Sequence, residues 1–261
     1  LASDINASLN LGTSVTLSTS ATGGSAGNIA VNENISKTAG GNAALRLNAH
    51  GDISIAAGKS ITSSTGKLDV TLVSDYDTSA SGAIVMNTGS AISSNGGNIT
   101  FAGSSTGASW ARGNASNPFG ITLTGANVNA SGGNITMLGM TDTFGSAFSH
   151  GVGITESSVS TTGAGTINIQ GYTTSSVGLS SGVAVLGSTI TGGSSGNTTV
   201  IGTNASAGTT NRAQGVWVDA SSSVSSTITS TGGGVFVTGT GGGGSTSQYN
   251  YGVCVTDGII T

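Results

Sequence analysis

Apolar residues recur along this chain in a three-part unit. A V-x-V pair comes first, a single apolar residue follows a few positions on, and a second V-x-V pair precedes a turn. First pairs fall at Ile29/Val31, Ile53/Ile55, Ile84/Met86, Ile121/Leu123, Val152/Ile154, Val183/Val185, Val216/Val218 and Val253/Val255. Single residues follow at Ile35, Ile61, Ile92, Val128, Val159, Ile190, Ile228 and Ile260. Second pairs fall at Leu45/Leu47, Val70/Leu72, Ile99/Phe101, Ile135/Met137, Ile167/Ile169, Thr198/Val200 and Val235/Val237. Alternation within a pair is the two-residue period of a strand, so both apolar members point one way and the residue between them points out. Three short strands in fixed order, with first pairs 24–37 residues apart, mark a solenoid.

Such strands are too short to bury a core alone. Stacked coil on coil, roughly 4.8 Å apart, they pair above and below and pool their inward residues, each contributing about 1.5–3 kcal/mol when fully buried. The pattern predicts an all-β chain: one right-handed parallel β-helix with three strands per coil and seven to eight coils. Glycine and β-branched residues abound without a 3.6-residue stripe, which argues against helix. Gly103, Gly139, Gly171, Gly202 and Gly239 lie just past second pairs. Gly120, Gly151, Gly182, Gly215 and Gly252 lie just before first pairs. They are expected to turn the corners with positive φ. Neither end shows an amphipathic helix or polar cap, so further coils, or other subunits meeting end to end, are the expected partners. The chain starts at Leu1 and stops just after Ile260, as a segment of a longer protein would.

Composition narrows the function. Only 6% of residues are charged, a level that suggests low complexity unless the apolar residues are periodic, as they are here. The chain reads as one segment, 1–261, with compact coils over 1–97 and longer loops on one side over 98–261. Six basic residues are scattered and the net charge is −4, so no stripe exists to neutralise phosphates. No apolar run reaches membrane-spanning length. The single cysteine, Cys254, forms no intramolecular disulfide or thiolate cluster.

Residues 5–75, from INASLNLGTSVTLSTS to KLDVTLVSD, resemble the repetitive shaft of filamentous-haemagglutinin-like large exoproteins. GAIVMNTGSAISSNGGNITFAG, from Gly82 to Gly103, is similar to their recurring coil. These are the secreted members of bacterial two-partner secretion systems. The family's N-terminal secretion domain is not visible in this sequence. The resemblance implies a right-handed β-helix on the outer surface of a Gram-negative cell, in adhesion or cell contact. Host or bacterial surface glycans or proteins are the partners it implies.

Catalysis is not expected. Glycoside hydrolysis needs two carboxylates about 5–9.5 Å apart, and few of the ten acids recur at one repeat position. Asp219 and Asp257 come nearest. Asp75-Tyr76-Asp77 is the one local acidic cluster, short of the six or more oxygens a calcium ion takes. His50 and His150 lie on different coils, so no zinc pair is indicated. No cofactor is called for. Binding is expected instead in the loops between a second pair and the next first pair, because loops projecting from a rigid scaffold usually carry function. These loops hold Trp110, Arg112, Phe119, Phe144, Phe148, His150, Tyr172, Arg212, Tyr249 and Tyr251. The candidate ligand-binding set is Trp110, Arg112, His150, Tyr172 and Arg212, with Trp217 as a patch on the outward strand row; aromatics beside arginine suit sugar rings. Phe119, Tyr249 and Tyr251, an even number of residues before inward positions, are expected to extend the core. A shaft or adhesin segment is the leading reading. A carbohydrate-binding β-helix and a polysaccharide-degrading enzyme are the alternatives.

Overall fold

Each apolar position finds its counterpart one coil on. Ile29, Ile53, Ile84, Ile121, Val152, Val183, Val216 and Val253 are successive partners in one parallel sheet. The single residues from Ile35 to Ile260 stack in a second parallel sheet. The second pairs from Leu45 to Val235 stack in a third. We call these the first-pair, middle and second-pair sheets. They make a three-sheet parallel β-helix of about eight coils. The computed structural model describes residues 1–20, 26–142, 148–176, 178–209 and 211–261. One further strand, Val15–Ser18, lies ahead of the first complete unit, with Val15 and Leu17 opposite Leu45 and Leu47.

Inward side chains from all three sheets form one continuous core, and from Leu45 to Ile228 its members are almost all sealed from solvent. Corner polar groups are bonded from coil to coil. Outside, the Asn98 amide donates to Asp69 Oδ1 (2.7 Å), the Asn134 amide to Asn98 Oδ1 (2.9 Å) and the Thr166 amide to Asn134 Oδ1 (2.9 Å). Inside, at the corner leading to the middle sheet, the amides of Ala126, Ser157 and Ser188 donate to Ser157, Ser188 and Ser226 Oγ at 3.0–3.1 Å. These ladders satisfy backbone donors that the turns take out of the sheets.

Three expectations are corrected. The first concerns the corner glycines. Positive-φ glycines occur elsewhere, as at Gly58 and Gly163, whereas none of the ten named corner glycines has positive φ. They are glycine because the two backbones touch. A Cβ on Gly171 would sit 1.9 Å from the Gly182 carbonyl oxygen, one on Gly202 2.0 Å from that of Gly215, and one on Gly239 1.8 Å from that of Gly252.

The second concerns the N-terminal end, which is capped. Ala2–Asn10 is an α-helix whose Ile5 and Leu9 are buried on the core. On the same helix, Asn6 Oδ1 accepts from the Ser36 amide (2.8 Å) and Asn10 Oδ1 from the Thr38 amide (2.7 Å). The helix thus covers part of the apolar cross-section and the edge of the strand Ile35–Lys37, while Val15, Leu17 and Ile29 at the other two edges are only partly buried. The other end has no such helix among the described residues, and Val253, Val255 and Ile259 are exposed there.

The third concerns loop length. Strands extend well into the stretches read as loops, over Ile135–Thr141, Ile167–Thr173, Thr198–Asn204, Ser181–Leu186 and Gln214–Asp219. What remains of the long loops leaves at one corner, between the second-pair and first-pair sheets.

Among the V-x-V pairs, Thr198 departs from the apolar rule. Thr198 is fully buried between Ile167 and Val235, and its Oγ1 has no hydrogen-bond partner. An unsatisfied buried hydroxyl costs about 1–3 kcal/mol. Thr198→Val should therefore raise the urea midpoint, with a gain of about 1 kcal/mol. A lowered midpoint would mean that the hydroxyl is bonded.

Candidate functional site

The six candidate residues divide into two groups along the loop-bearing corner. After the strand Ile99–Gly103 the chain turns out, closes on itself at Gly103 and Ser109, and returns as the short strand Ala111–Arg112. That strand pairs with Gly139 and Met140 of the next coil. Trp110 is thereby set against Tyr172, ring centroids 6.4 Å apart and tilted 44°. Tyr172 is not in a loop: it lies on the outer face of Ile167–Thr173, opposite Met140. Arg112 Nη2 is 2.9 Å from Asp142 Oδ2, whose other oxygen accepts from Thr174 Oγ1 at 3.0 Å. The first group is therefore an internally paired cation beside two aromatics.

The second group lies on the outer face of the first-pair sheet. Its outward row reads Thr122, Gly153, Ala184, Trp217, Cys254, and the small residues leave a furrow. Phe119 fills it at one end, close enough that a Cβ on Gly153 would lie 2.9 Å from its ring. His150 follows, 5.2 Å from Phe119 and 6.2 Å from Trp217 by centroid. His150 is buried, and the Ser181 amide donates to its Nδ1 at 3.1 Å. Burial lowers its pKa to about 4. A neutral, enclosed imidazole is packing, not a ligand contact, so His150 leaves the candidate set. Phe119 packs outside the sheet instead of extending the core, and Tyr249 and Tyr251 are about half exposed; the expectation for all three is corrected. Phe144 lies outside the described residues.

Beyond Trp217 the furrow opens into a cavity of about 170 Å³, lined by Arg212, Gln214, Trp217, Asp219, Tyr249, Tyr251, Cys254 and Thr256. The Trp217 indole N–H donates to Asp219 Oδ2 (3.2 Å), and Asp219 Oδ1 accepts from the Ala220 amide (2.8 Å). The two loops that bear Arg212 and the tyrosines are bonded to each other: Arg212 N–H to the Gln248 carbonyl (2.9 Å), Gln248 N–H to Asn211 Oδ1 (2.7 Å) and Ala213 N–H to Asn250 Oδ1 (2.9 Å). Asp257 does not join Asp219 here; it accepts from Ser225 Oγ at 2.8 Å.

A second cavity, about 500 Å³ and polar, opens at the same corner nearer the N-terminus, with His50, Asp52, Asp77, Asn28 and Asn114 in its wall. His50 Nδ1 lies 3.5 Å from Asp77 Oδ2 and stacks on Tyr76 at 6.0 Å. Asp52 is fully engaged, by the Ala83 amide and Asn114 on Oδ1 and by Asn117 on Oδ2. Sequence reasoning treated His50 and the Asp75-Tyr76-Asp77 turn separately. The 31-residue step from Ile53 to Ile84 places that turn beside His50. Among the described residues no group of three His, Cys, Asp or Glu side chains is placed to hold a metal ion, and no helix is long and apolar enough to cross a membrane. No family model matches the chain, and neither the curated proteins nor the solved structures contain a match to it.

Proposed function

We propose that the chain is a rigid, adhesive shaft element of a filamentous-haemagglutinin-like exoprotein at the outer surface of a Gram-negative cell, with no catalytic step of its own. The observation that supports it is the unbroken register of three parallel sheets through about eight coils. Every coil repeats one cross-section at a rise of roughly 4.8 Å, which gives a stiff rod with a length of about 40 Å. Charge-poor flanks and an engaged Arg112 leave little for substrate chemistry, whereas the loops on one corner offer a contact surface along the rod. The exposed strand edges at Val253, Val255 and Ile259 are the natural meeting point for further coils or a second subunit, while the helix-capped end is not. Carbohydrate binding at the loop corner is the second reading, favoured by the cavity beside Trp217.

Latex beads coated with the chain, flowed over bacterial and epithelial cell layers, test the adhesive role. They should be retained well above beads carrying an unrelated protein of similar charge. Equal retention on every layer would remove adhesion and leave a spacer.

A further inference from the structure

We infer that the cavity walled by Arg212, Trp217, Asp219, Tyr249 and Tyr251 binds a single carboxylate-bearing sugar ring, a hexuronate, with Arg212 taking the carboxylate and the aromatics taking the ring. This goes beyond the shaft role and is separable from it. The chain has only two Trp and four Tyr, and three of these six side chains line this one cavity. Flat amphipathic rings beside hydrogen-bonding groups are what pyranose recognition uses. The volume, about 170 Å³, is below the roughly 300–1,000 Å³ of sites for drug-sized ligands and is of the size of one sugar ring.

Charge selects an acid over a neutral sugar. Arg212 has no ion-pair partner among the described residues, in contrast to Arg112, which is held by Asp142. Asp219, the carboxylate in the same wall, already spends both oxygens on the Trp217 indole and the Ala220 amide. It fixes the indole and keeps acceptor capacity for the hydroxyl groups of a sugar. Arg212 is the one cation in the lining of this cavity, and its planar guanidinium fork suits a carboxylate. The backbone is also set in advance. Arg212 and Tyr249 both hold left-handed conformations, φ 65° and 63°, which cost a non-glycine residue of order 1 kcal/mol. The bonds between their two loops keep them there. Sites that bind are often where such strain is retained.

Sodium glucuronate and glucose, titrated into the isotope-labelled full chain, test this directly. The chain has two indole N–H resonances, assigned with Trp110→Phe. Glucuronate should move the Trp217 indole and leave Trp110 unmoved, binding about tenfold more tightly than glucose. Arg212→Gln should abolish that preference, and Tyr251→Ala should weaken both sugars. Both side chains are at the surface, and unchanged resonances elsewhere establish that each variant is folded. Equal affinity for the two sugars, movement at Trp110 instead, a preference that survives Arg212→Gln, or no movement up to about 50 mM glucuronate would each overturn the assignment. Bead adhesion that persists in Arg212→Gln would leave the shaft reading intact when this one fails.

Discussion

Gly202→Ala should be among the most damaging single substitutions in the molecule, although it adds one methyl group. That methyl would lie 2.0 Å from the Gly215 carbonyl oxygen, a backbone atom of the facing sheet. Neither partner has room to yield, because the same contact recurs above and below, at Gly171 against Gly182 (1.9 Å) and Gly239 against Gly252 (1.8 Å). Relief requires the second-pair and first-pair sheets to part at that corner, which opens the core around Val216 and Val200. Overpacking of a well-packed interior costs about 1–3 kcal/mol and occasionally more; an overlap with backbone belongs at or beyond the upper end. Gly58→Ala is the control. Gly58 has φ +69° and nothing within 4 Å of its missing Cβ, so only left-handed strain applies, about 1–2 kcal/mol. Urea midpoints should fall clearly further for Gly202→Ala than for Gly58→Ala. The reverse order would mean that conformation, not contact, selects glycine at this corner.

The legible part of the fold was the part governed by a period. Two-residue alternation names the inward side chains, and equal order from unit to unit names their partners, so the stack from Ile29 to Val253 follows without reference to loop length. Features set by single contacts were not legible. The capping helix is nine residues long with no side-chain N-cap, and its evidence is the i, i+4 repeat Ile5-Asn6 and Leu9-Asn10, a pattern too short to separate from the surrounding polar sequence. Lys37 reads as one of six scattered cations. It is fully buried, its Nζ donating to the carbonyls of Ala39, Gly40 and Thr65. Alternation from Ile35 points it inward on the strand Ile35–Lys37, but the partners that make an inward lysine tolerable are backbone oxygens, which no side-chain pattern marks.

The candidate site was legible in outline and not in grouping. Aromatics and arginines concentrated on one corner are visible from spacing alone. Which of them meet depends on where each loop re-enters the sheet. Arg112 meets Asp142 because the chain turns back at Gly103 to add a strand beside Gly139. Arg212 shares a cavity with Tyr249 and Tyr251, 37 and 39 residues on, because successive loops are bonded to each other. The even-number rule that assigned Phe119, Tyr249 and Tyr251 to the core fails for the same reason: parity holds only while the backbone stays extended. The positive φ at Tyr249 breaks it.

Acidification should expose the role of His150. The imidazole is buried between Phe119 and Trp217, and this burial lowers its pKa from 6.5 to about 4. The unfolded chain takes up a proton near pH 6.5, whereas the folded chain resists until near pH 4. Between those values the unfolded state binds more protons, so stability rises with pH across the window and falls as pH is lowered through it. Above pH 6.5 both states are neutral at this residue and it imposes no penalty. Near pH 4 and below, the penalty approaches about 3 kcal/mol, at 1.36 kcal/mol per pH unit. Thermal or urea midpoints measured from pH 7.5 down to pH 4 should therefore drop for the native chain. His150→Gln, which keeps a polar side chain at the Ser181 amide and does not titrate, should be less stable at pH 7.5 yet lack most of that drop, so the two curves should converge or cross on the acid side. Parallel curves would place the acid sensitivity elsewhere. Convergence would identify the furrow behind Trp217 as the place where this otherwise charge-poor rod first yields to acid.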